Sequence, residues 1–345
     1  MHALFVKLGA IGDIVHTLPA LAAVRSSRPD IRISWVVETR SAEILRGNPA
    51  IDHLIEIDTR SLRKGNVVTD ILPGLKEQMR GLRRERFDIA LDFQGLIKSA
   101  AVAKFSGAPV RWGFDKASLR EAAGRVFLTN TAAIPPGTHV ILKNLILAEA
   151  ALGVTLPAPT ELEFPMSEDA VAFEEAEAIT ERIGGAFAIL NPAGGWVTKL
   201  WRAADFGRLA DLINERFGLA PIITVAPNEM DLANAVLANS RSGRAIIVTP
   251  TLKGFYELAR RSEVYVGGDT GPTHLAIAAG ARVVGIFGPT EWWRNGSLNP
   301  DDICVERVDI GCRIDCHRRT CNNWICMDIP AERVADAVAE RLARV

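Results

Sequence analysis

Residues 263–289 read EVYVGGDTGPTHLAIAAGARVVGIFGP, and they carry the strongest indication of the fold class. The apolar run at 263–269 is typical of a buried strand, residues 272–280 of a helix, and RVVGIFGP (282–289) of a second strand. Strand, helix and strand in this order build a parallel sheet, because a parallel pair needs a long crossover connection. The stretch therefore predicts a Rossmann-like α/β unit.

The same alternation extends over the rest of the chain. Further strands are predicted at 3–8, 32–38, 53–58, 87–93, 186–192, 221–227 and 245–250. Helices are predicted at 14–27, 138–154, 205–218, 229–240, 252–262 and 331–345. TLPAPTELEFP (155–165) carries three prolines and no periodicity, which is typical of a linker. We therefore predict two Rossmann-like domains, residues 1–160 and 161–345, that face each other across a cleft.

Composition excludes several classes of protein. The 345 residues suffice for two domains at roughly 100–200 residues each. Because 40 Lys and Arg balance 41 Asp and Glu, a protein that coats nucleic acid is disfavoured. No apolar run reaches the roughly 18–20 residues that span a bilayer, and the first residues do not resemble a secretory signal. The expected compartment is the cytoplasm.

The loop LGAIGDIVHT (8–17) follows the first predicted strand. Gly9 and Gly12 allow close approach of a ligand, and Asp13 stands at the start of the next helix. The spacing is not GxGxxG, so no dinucleotide fingerprint is indicated. Asp13 is either the N-cap of that helix or a general base that accepts a proton from a substrate hydroxyl at the mouth of the cleft.

A second turn, Asp269–Thr270–Gly271, links the strand at 263–269 to the following helix. The backbone N–H groups there, with the hydroxyls of Thr270 and Thr273, are expected to converge on a diphosphate at the helix N-terminus. The alternative is a well-capped helix that carries a buried His274.

Two further strand exits carry polar residues. NPAGGWVTKLW (191–201) supplies Lys199 as a second positive group for phosphate, and APNEMD (226–231) supplies Glu229 for sugar hydroxyls. Parallel strands present their carboxyl ends at one edge of the sheet. Three such exits in one domain predict a site for a nucleoside diphosphate sugar.

The neutral net charge hides a basic region in the first half. Eight Lys or Arg lie within residues 60–86, and those at 76–86 are interpreted as a solvated helix face. Cations in predicted loops would form a pocket for an anionic acceptor, such as a phosphorylated or carboxylated glycolipid. These residues are Arg60, Arg63, Lys64, Lys98 and Arg120.

All five cysteines lie between Cys304 and Cys326. Cys304 has the setting of an ordinary strand residue. The other four are spaced by three, four and four intervening residues, with His317 among them, and are Cys312, Cys316, Cys321 and Cys326. A structural zinc or iron ion, one reversible disulfide, or reduced thiols would each explain such a cluster.

Several of these motifs, taken in order, resemble one family. Its motifs are matched by VKLGAIGDIVHTLPAL (6–21), WVVE (35–38), DFQGLIKSA (92–100), TKLW (198–201), GGDTGPTHLAIAAG (267–280) and VVGIFGPT (283–290). The chain resembles the bacterial ADP-heptose:lipopolysaccharide heptosyltransferases, glycosyltransferase family 9, and its first half is most similar to the heptosyltransferase I branch. The resemblance implies a GT-B fold and an inverting, metal-independent transfer of heptose from ADP-heptose to a Kdo residue of lipid A.

The resemblance also assigns roles to residues. Asp13 corresponds to the catalytic base, and Glu229 to a carboxylate that contacts heptose. Leu252 falls where an apolar residue lines the adenine pocket. The diphosphate would be held by Lys199, Asp269, Thr270 and Gly271, with His274 beside the donor. The acceptor-side cations of the family are matched by Arg60, Arg63, Lys64, Lys98 and Arg120.

The resemblance further implies that the acceptor domain comes first, that no cofactor takes part in catalysis, and that the enzyme contacts the inner membrane peripherally. Ala193–Gly194 replaces a Thr pair of the heptosyltransferase I pattern, so phosphate contacts there would come from the backbone. The cysteine segment is absent from that pattern.

Alternatives remain from two directions. The same donor chemistry could serve another acceptor: another core sugar, a natural product or a protein. A non-enzymatic protein built around a metal at the cysteines is the other alternative, but it leaves Asp13 and Lys199 unexplained. An oxidoreductase or sugar epimerase is disfavoured because the GxGxxG turn is missing and the chain has only two tyrosines.

Overall fold

A computed structural model describes residues 1–58, 80–312, 316 and 318–344 and divides the chain into two compact units, Met1–Glu168 and Asp169–Val345. The sequence places the boundary earlier, between residues 160 and 161. Residues 161–168 belong to the first unit because they pack on it. Asn48 Nδ2 donates a hydrogen bond to Pro165 O at 2.8 Å, and a Cβ at Gly47 would lie 3.6 Å from Ser167.

The first unit is built on a six-stranded parallel sheet with the order β3-β2-β1-β4-β5-β6. Its strands are β1 His2–Val6, β2 Arg32–Glu38, β3 His53–Ile57, β4 Ile89–Asp92, β5 Val110–Phe114 and β6 Asn130–Ala132. Every residue of β1 is buried, as expected for a central parallel strand that helices cover on both faces. Strands β5 and β6, of five and three residues, were not predicted.

Helices of this unit that are described over their full length are α1 Ile11–Val15, α2 Leu18–Ser27, α3 Ile97–Phe105 and α4 Val140–Leu152. The prediction of one helix over 14–27 was wrong, since the first helix ends at Val15 and a second begins at Leu18. Pro19 lacks an N–H, and its ring would clash with the carbonyl of Val15 in a continuous helix. Proline is tolerated in the first turn of a helix, and here it lies in the first turn of α2. The break leaves Asp13 on the short helix α1.

The second unit has a parallel sheet of the order β12-β11-β10-β7-β8-β9. Its strands are β7 Phe187–Asn191, β8 Ala220–Thr224, β9 Ile246–Val248, β10 Val264–Gly268, β11 Val283–Phe287 and β12 Ile303–Glu306. Cys304 lies in β12, which confirms the reading of this residue as part of a strand.

The helices of the second unit are α5 Ala170–Ile183, α6 Ala203–Phe217, α7 Met230–Asn239, α8 Leu252–Ala259, α9 Gly271–Ala278, α10 Trp292–Asn295 and α11 Ala331–Ala343. Helix α5 was not predicted. Its only fully buried residues are Ala172 and Ala176, so its sequence lacks the wide apolar stripe by which an amphipathic helix is recognised.

The two sheets repeat one strand order: counted within each unit, it runs third, second, first, fourth, fifth, sixth. The order reverses beside the first strand, at β1 and β4 in the first unit and at β7 and β10 in the second. Connections leave such a switch point in opposite directions and open a crevice at the carboxyl ends of the strands, where α/β proteins bind ligands. The α/β class is thus confirmed, and each unit has its own candidate binding edge.

In the described part of the chain, no helix combines the length and the apolar character needed to cross a membrane.

Candidate active site

A buried ion pair occupies the switch point of the second unit. Lys199 Nζ donates hydrogen bonds to Asp269 Oδ2 and, at 3.2 Å, to Asp269 O. The ammonium group also lies 3.9 Å from the centre of the Trp196 ring, a cation–π distance. Lys199 follows β7 and Asp269 follows β10, so the two neighbouring strands at the reversal bring these residues together.

Asp269 has two further partners. His274 Nε2 lies 3.3 Å from its Oδ1, and Asn295 Nδ2 donates to the same oxygen at 2.7 Å. Burial alone would raise the pKa of Asp269, but the His274 hydrogen bond and the Lys199 charge hold that pKa well below its ordinary value. The carboxylate is therefore ionised and fixes the position of Lys199.

Sequence reasoning did not identify Asn295. It lies on the four-residue helix α10, after the GPT loop that follows β11. Its position beyond a strand exit was the only signal that could have found it.

A cavity of about 280 Å³ opens beside this ion pair in the second unit. Four of the predicted donor residues, Glu229, Leu252, Thr270 and Gly271, line it together. One part of its wall is apolar and is formed by Val225, Ala226, Pro250, Leu252 and Phe255. A small cavity with an apolar wall and a few polar groups has the composition of a nucleotide pocket.

The polar wall of the cavity contains one unsatisfied atom. Asn191 is buried at the end of β7, and its Nδ2 donates to Thr224 O at 2.8 Å. Its Oδ1 meets no hydrogen-bond donor among the described residues. Since a buried acceptor without a donor is costly, a ligand hydroxyl or amine at this position would be stabilised.

Of the two threonine hydroxyls expected to face the diphosphate, Thr273 does not. Its Oγ1 donates to Gly268 O and lies 2.9 Å from the hydroxyl of Tyr265, inside the core. The prediction for Thr273 was wrong because helix α9 begins at Gly271, which turns position 273 inward against β10. Thr270 is the N-cap residue of α9 and lines the cavity.

Glu229 also has a local structural contact. Its Oε2 accepts a hydrogen bond from the backbone N–H of Ala226 at 3.0 Å. This bond ties the carboxylate to the loop after β8, at the wall of the cavity.

The switch point of the first unit holds Asp13. Its carboxylate makes a bidentate ion pair with Arg120, with distances of 2.8 and 3.1 Å, and its Oδ2 lies 3.5 Å from Gln94 Nε2. Burial would raise the pKa of Asp13, but the charges of Lys7 and Arg120 hold it well below its ordinary value. Asp13 lies within the first turn of α1, and the N-cap residue of that helix is Ala10. The N-cap alternative for Asp13 is therefore wrong.

Two buried ionisable groups lie near Asp13. Lys7 Nζ donates to Phe93 O at 2.7 Å, and burial lowers the pKa of Lys7 to about 8. Burial also raises the pKa of Asp92 to about 6, although Asp92 Oδ1 accepts hydrogen bonds from the N–H groups of Gln94 and Gly95. Neither residue was singled out from the sequence.

The predicted acceptor cations are only partly described. Lys98 Nζ lies 2.5 Å from Glu38 Oε1, and Arg120 pairs with Asp13, so both are held by carboxylates at the carboxyl edge of the first sheet. The side chains of both are about two-fifths exposed. Arg60, Arg63 and Lys64 lie outside the described residues.

The four clustered cysteines Cys312, Cys316, Cys321 and Cys326 are all free thiols. Burial raises the pKa of Cys326, with the other three contributing, which indicates that the four lie in one neighbourhood. Within residues 1–58, 80–312, 316 and 318–344, no three His, Cys, Asp or Glu side chains are placed to hold a metal ion. His317 is not among the described residues, and the hypothesis of a structural zinc or iron ion gains no support.

Comparison with known proteins identifies the family. The model of Glycosyltransferase family 9 (heptosyltransferase) matches residues 76–325. The chain is 27% identical to lipopolysaccharide heptosyltransferase 1 of Pseudomonas aeruginosa, over 93% of this chain and 87% of that protein. It is 26% identical to lipopolysaccharide heptosyltransferase 1 of Escherichia coli K12, over 84% of this chain and 89% of that protein.

Solved structures show the same fold. The E. coli heptosyltransferase WaaC with ADP-2-deoxy-2-fluoro heptose matches with a TM-score of 0.73 and 25% identity, over 88% of this chain and 93% of that one.

Two parallel α/β units of one strand order, shared with the heptosyltransferase structures, define a glycosyltransferase fold of the GT-B class. The chain belongs to glycosyltransferase family 9, the heptosyltransferase family. The resemblance inferred from the sequence is thus confirmed, and the alternative of a non-enzymatic metal-binding protein is wrong.

Proposed function

We propose that the protein transfers heptose from ADP-heptose to a Kdo residue of the lipopolysaccharide inner core, with inversion at the anomeric carbon. The relatives named lipopolysaccharide heptosyltransferase 1 support this acceptor class, and the solved complex with an ADP-heptose analogue supports the donor. The second unit binds the donor and the first unit the acceptor.

The observation that carries the proposal is the Lys199–Asp269 pair beside the cavity at the start of helix α9. The apolar wall accepts adenine, and Glu229 and Asn191 Oδ1 accept hydrogen bonds from sugar hydroxyls. The N-terminus of α9 and Lys199 face the diphosphate, because a helix N-terminus and a fixed cation both favour negative charge. These groups stabilise the charge that develops on the departing ADP.

Asp13 is the proton acceptor of the transfer. The acceptor hydroxyl oxygen bonds to the anomeric carbon, the bond from that carbon to the diphosphate oxygen breaks, and the hydroxyl proton passes to Asp13. Its low pKa keeps the carboxylate ionised and ready. Such a weak base takes the proton only as the new carbon–oxygen bond forms, when the hydroxyl has become strongly acidic.

The proposed acceptor side includes Arg120 and Lys98, and the sequence adds Arg60, Arg63 and Lys64 as candidates. An anionic, lipid-linked Kdo acceptor would be recognised by such cations. A substrate embedded in a membrane also requires contact between the enzyme and the inner membrane surface, and this contact is part of the proposal.

The test is product analysis by mass spectrometry. The purified protein is incubated with ADP-heptose and Kdo-lipid A, beside a panel of other ADP- and UDP-sugars and with and without a chelator. We expect one added heptose, only from ADP-heptose and in equal yield with chelator. Asp13→Ala should lower kcat about a thousandfold, since the general base is lost, while ADP binding stays near wild type.

Activity of Asp13→Ala near that of the wild type would remove Asp13 from the mechanism. Transfer of heptose to another acceptor, with none to any Kdo substrate, would favour the alternative that this family member modifies a different core sugar, natural product or protein. Retention of the anomeric configuration in the product would rule out a single displacement.

A further inference from the structure

Residues 318–326, which carry two of the clustered cysteines, pack against the loop that holds Lys199. Thr198 Oγ1 donates a hydrogen bond to Arg318 O at 2.5 Å. Trp324 Nε1 donates to Thr198 O at 2.9 Å. The residue just before Lys199 is therefore bonded to this segment at both its side chain and its backbone.

The end of the segment is fixed on the same edge of the sheet. A Cβ at Gly288, in the loop after β11, would lie 3.2 Å from Cys326 Sγ and closer still to Met327. Met327 belongs to the core of the second unit, and Trp201 Nε1 donates to Ile329 O at 2.9 Å. Residues 318–326 are thus fixed between the loop that carries Lys199 and the loop that follows β11.

The groups described so far at the candidate donor site carry too little positive charge to neutralise a diphosphate. The charge of Lys199 is opposed by Asp269, to which it is bonded. An ADP-sugar carries a negative charge on each phosphate, and departure of the sugar adds more. The N-terminus of α9 supplies only about half a positive charge.

A second cation lies beside Lys199. The guanidinium of Arg319 is 5.7 Å from the centre of the Trp196 ring, the same ring that Lys199 approaches to 3.9 Å. Trp196 Nε1 is buried and meets no acceptor among the described residues. An indole N–H without an acceptor, on a ring that two cations approach, is suited to an anion with several oxygens.

We infer that Arg319, with the N–H of Trp196, binds the diphosphate of the donor together with Lys199. Residues 318–326 would then have a function in the donor site, beyond the local structural role that the cysteines alone suggest. This inference rests on the proposed function, since it takes the second unit as the donor-binding one.

Calorimetric binding of ADP and of adenosine to the full-length protein tests the inference. Arg319→Ala should weaken ADP binding about tenfold, because a charge-assisted hydrogen bond to phosphate is lost, and leave adenosine binding unchanged. Arg319→Lys should keep ADP binding within about threefold of wild type because it keeps the charge. Trp196→Phe keeps the ring and loses the N–H, so a loss of about threefold is expected.

Arg318→Ala is the matched control. It removes the same charge from the same segment, but its contact with the Lys199 loop is made by its backbone carbonyl. We expect ADP binding within about twofold of wild type. An equal loss in the two alanine variants, or an equal loss of adenosine binding in Arg319→Ala, would overturn the inference.

Lys199→Gln separates this inference from the proposed function. If it weakens ADP binding while Arg319→Ala does not, only the role of Arg319 is wrong. If neither variant changes ADP binding, the assignment of the donor site itself fails.

Discussion

Asp92 and Asp269 each lie near the carboxyl end of the fourth strand of their sheets, yet their proton affinities change in opposite directions. Asp92 is buried with neutral hydrogen-bond donors, so burial dominates and raises its pKa to about 6. Asp269 is equally enclosed, but Lys199 and His274 hold its pKa well below the ordinary range. The fold therefore sets the place of a carboxylate, and its partners set its charge.

The raised pKa of Asp92 predicts a pH-dependent cost in stability. A folded-state pKa above the unfolded value means that the folded protein loses stability as the pH rises from about 4 to about 6, where the buried group must ionise. Asp92→Asn removes this dependence while keeping one oxygen for the N–H groups of Gln94 and Gly95. We expect its free energy of unfolding, relative to wild type, to rise by about 2 kcal/mol between pH 4 and pH 7.

Urea unfolding of both proteins at the two pH values measures this difference. Asp231→Asn, on the exposed side of α7, shows how much any lost carboxylate contributes. A difference between Asp92→Asn and wild type that does not change with pH would mean that the pKa of Asp92 is not raised.

Sequence reasoning could select candidate site residues in the loops that follow strands. Asp13, Lys199, Glu229 and Asp269 could be placed because strand exits of a parallel sheet share one edge. The pairing of Asp13 with Arg120 joins residues far apart in the chain, and Asn295 reaches Asp269 from another loop. No periodicity records such contacts, so they could not be predicted.

At the scale of elements, the break between α1 and α2 depends on Asn144 of α4. Asn144 is buried, and its Nδ2 donates to His16 O at 2.9 Å and to Thr17 Oγ1 at 3.1 Å. The interruption between α1 and α2 frees backbone carbonyls that a continuous helix would bond, and the amide of Asn144 supplies a donor to one of them, His16 O. The helix that carries Asp13 is thus held by a residue of another helix.

Asn144→Ala should destabilise the protein by about 2 kcal/mol, because it leaves a buried carbonyl without its donor. It should also lower kcat, since α1 is no longer held in place. Asn239→Ala, which loses an exposed bond to Ala235 O, is the control and should change stability by less than about 0.5 kcal/mol. Thermal unfolding and turnover of the two variants test this prediction. Equal stabilities of Asn144→Ala and Asn239→Ala would mean that Asn144 does not hold α1 in place.

Elements with an apolar core face could be predicted from the sequence, and those without one could not. Strand β2 was predicted at its observed bounds because six of its seven residues are buried. Helix α5 presents acidic residues and buries only alanines, and β6 has three residues. A short or largely polar element is formed by its neighbours in the fold, and its own sequence carries little signal.

At the scale of the whole molecule, each unit has the means to fold by itself. The core cluster that includes Trp201, Phe206 and Val338 lies entirely within the second unit. The cavity and the Lys199–Asp269 pair also lie there. Residues 169–345 alone should therefore unfold cooperatively in urea and bind ADP within about tenfold of the full chain, because a self-contained core is what independent folding needs.

The same fragment with Lys199→Gln serves as the control and should bind ADP more weakly. Circular dichroism establishes folding before binding is measured. A folded fragment that does not bind ADP would show that the donor site needs residues of the first unit.

The strand order repeated in both units could not be read from the sequence, where no internal repeat is visible. Apolar runs indicate strands but carry no record of which strands pair. The boundary was placed too early for a similar reason, since the prolines at 157–165 indicate an irregular segment and do not show which unit it packs on.

The junction between Glu168 and Asp169 is a natural splice point. Chimaeras that join residues 1–168 to the second half of another family member would keep the acceptor-binding unit constant while the donor-binding unit varies. If acceptor and donor choice reside in separate halves, the specificities of two parents recombine in such hybrids as independent traits. Glycan chemists could then assemble new linkages by exchanging halves at this peptide bond, without redesigning either pocket.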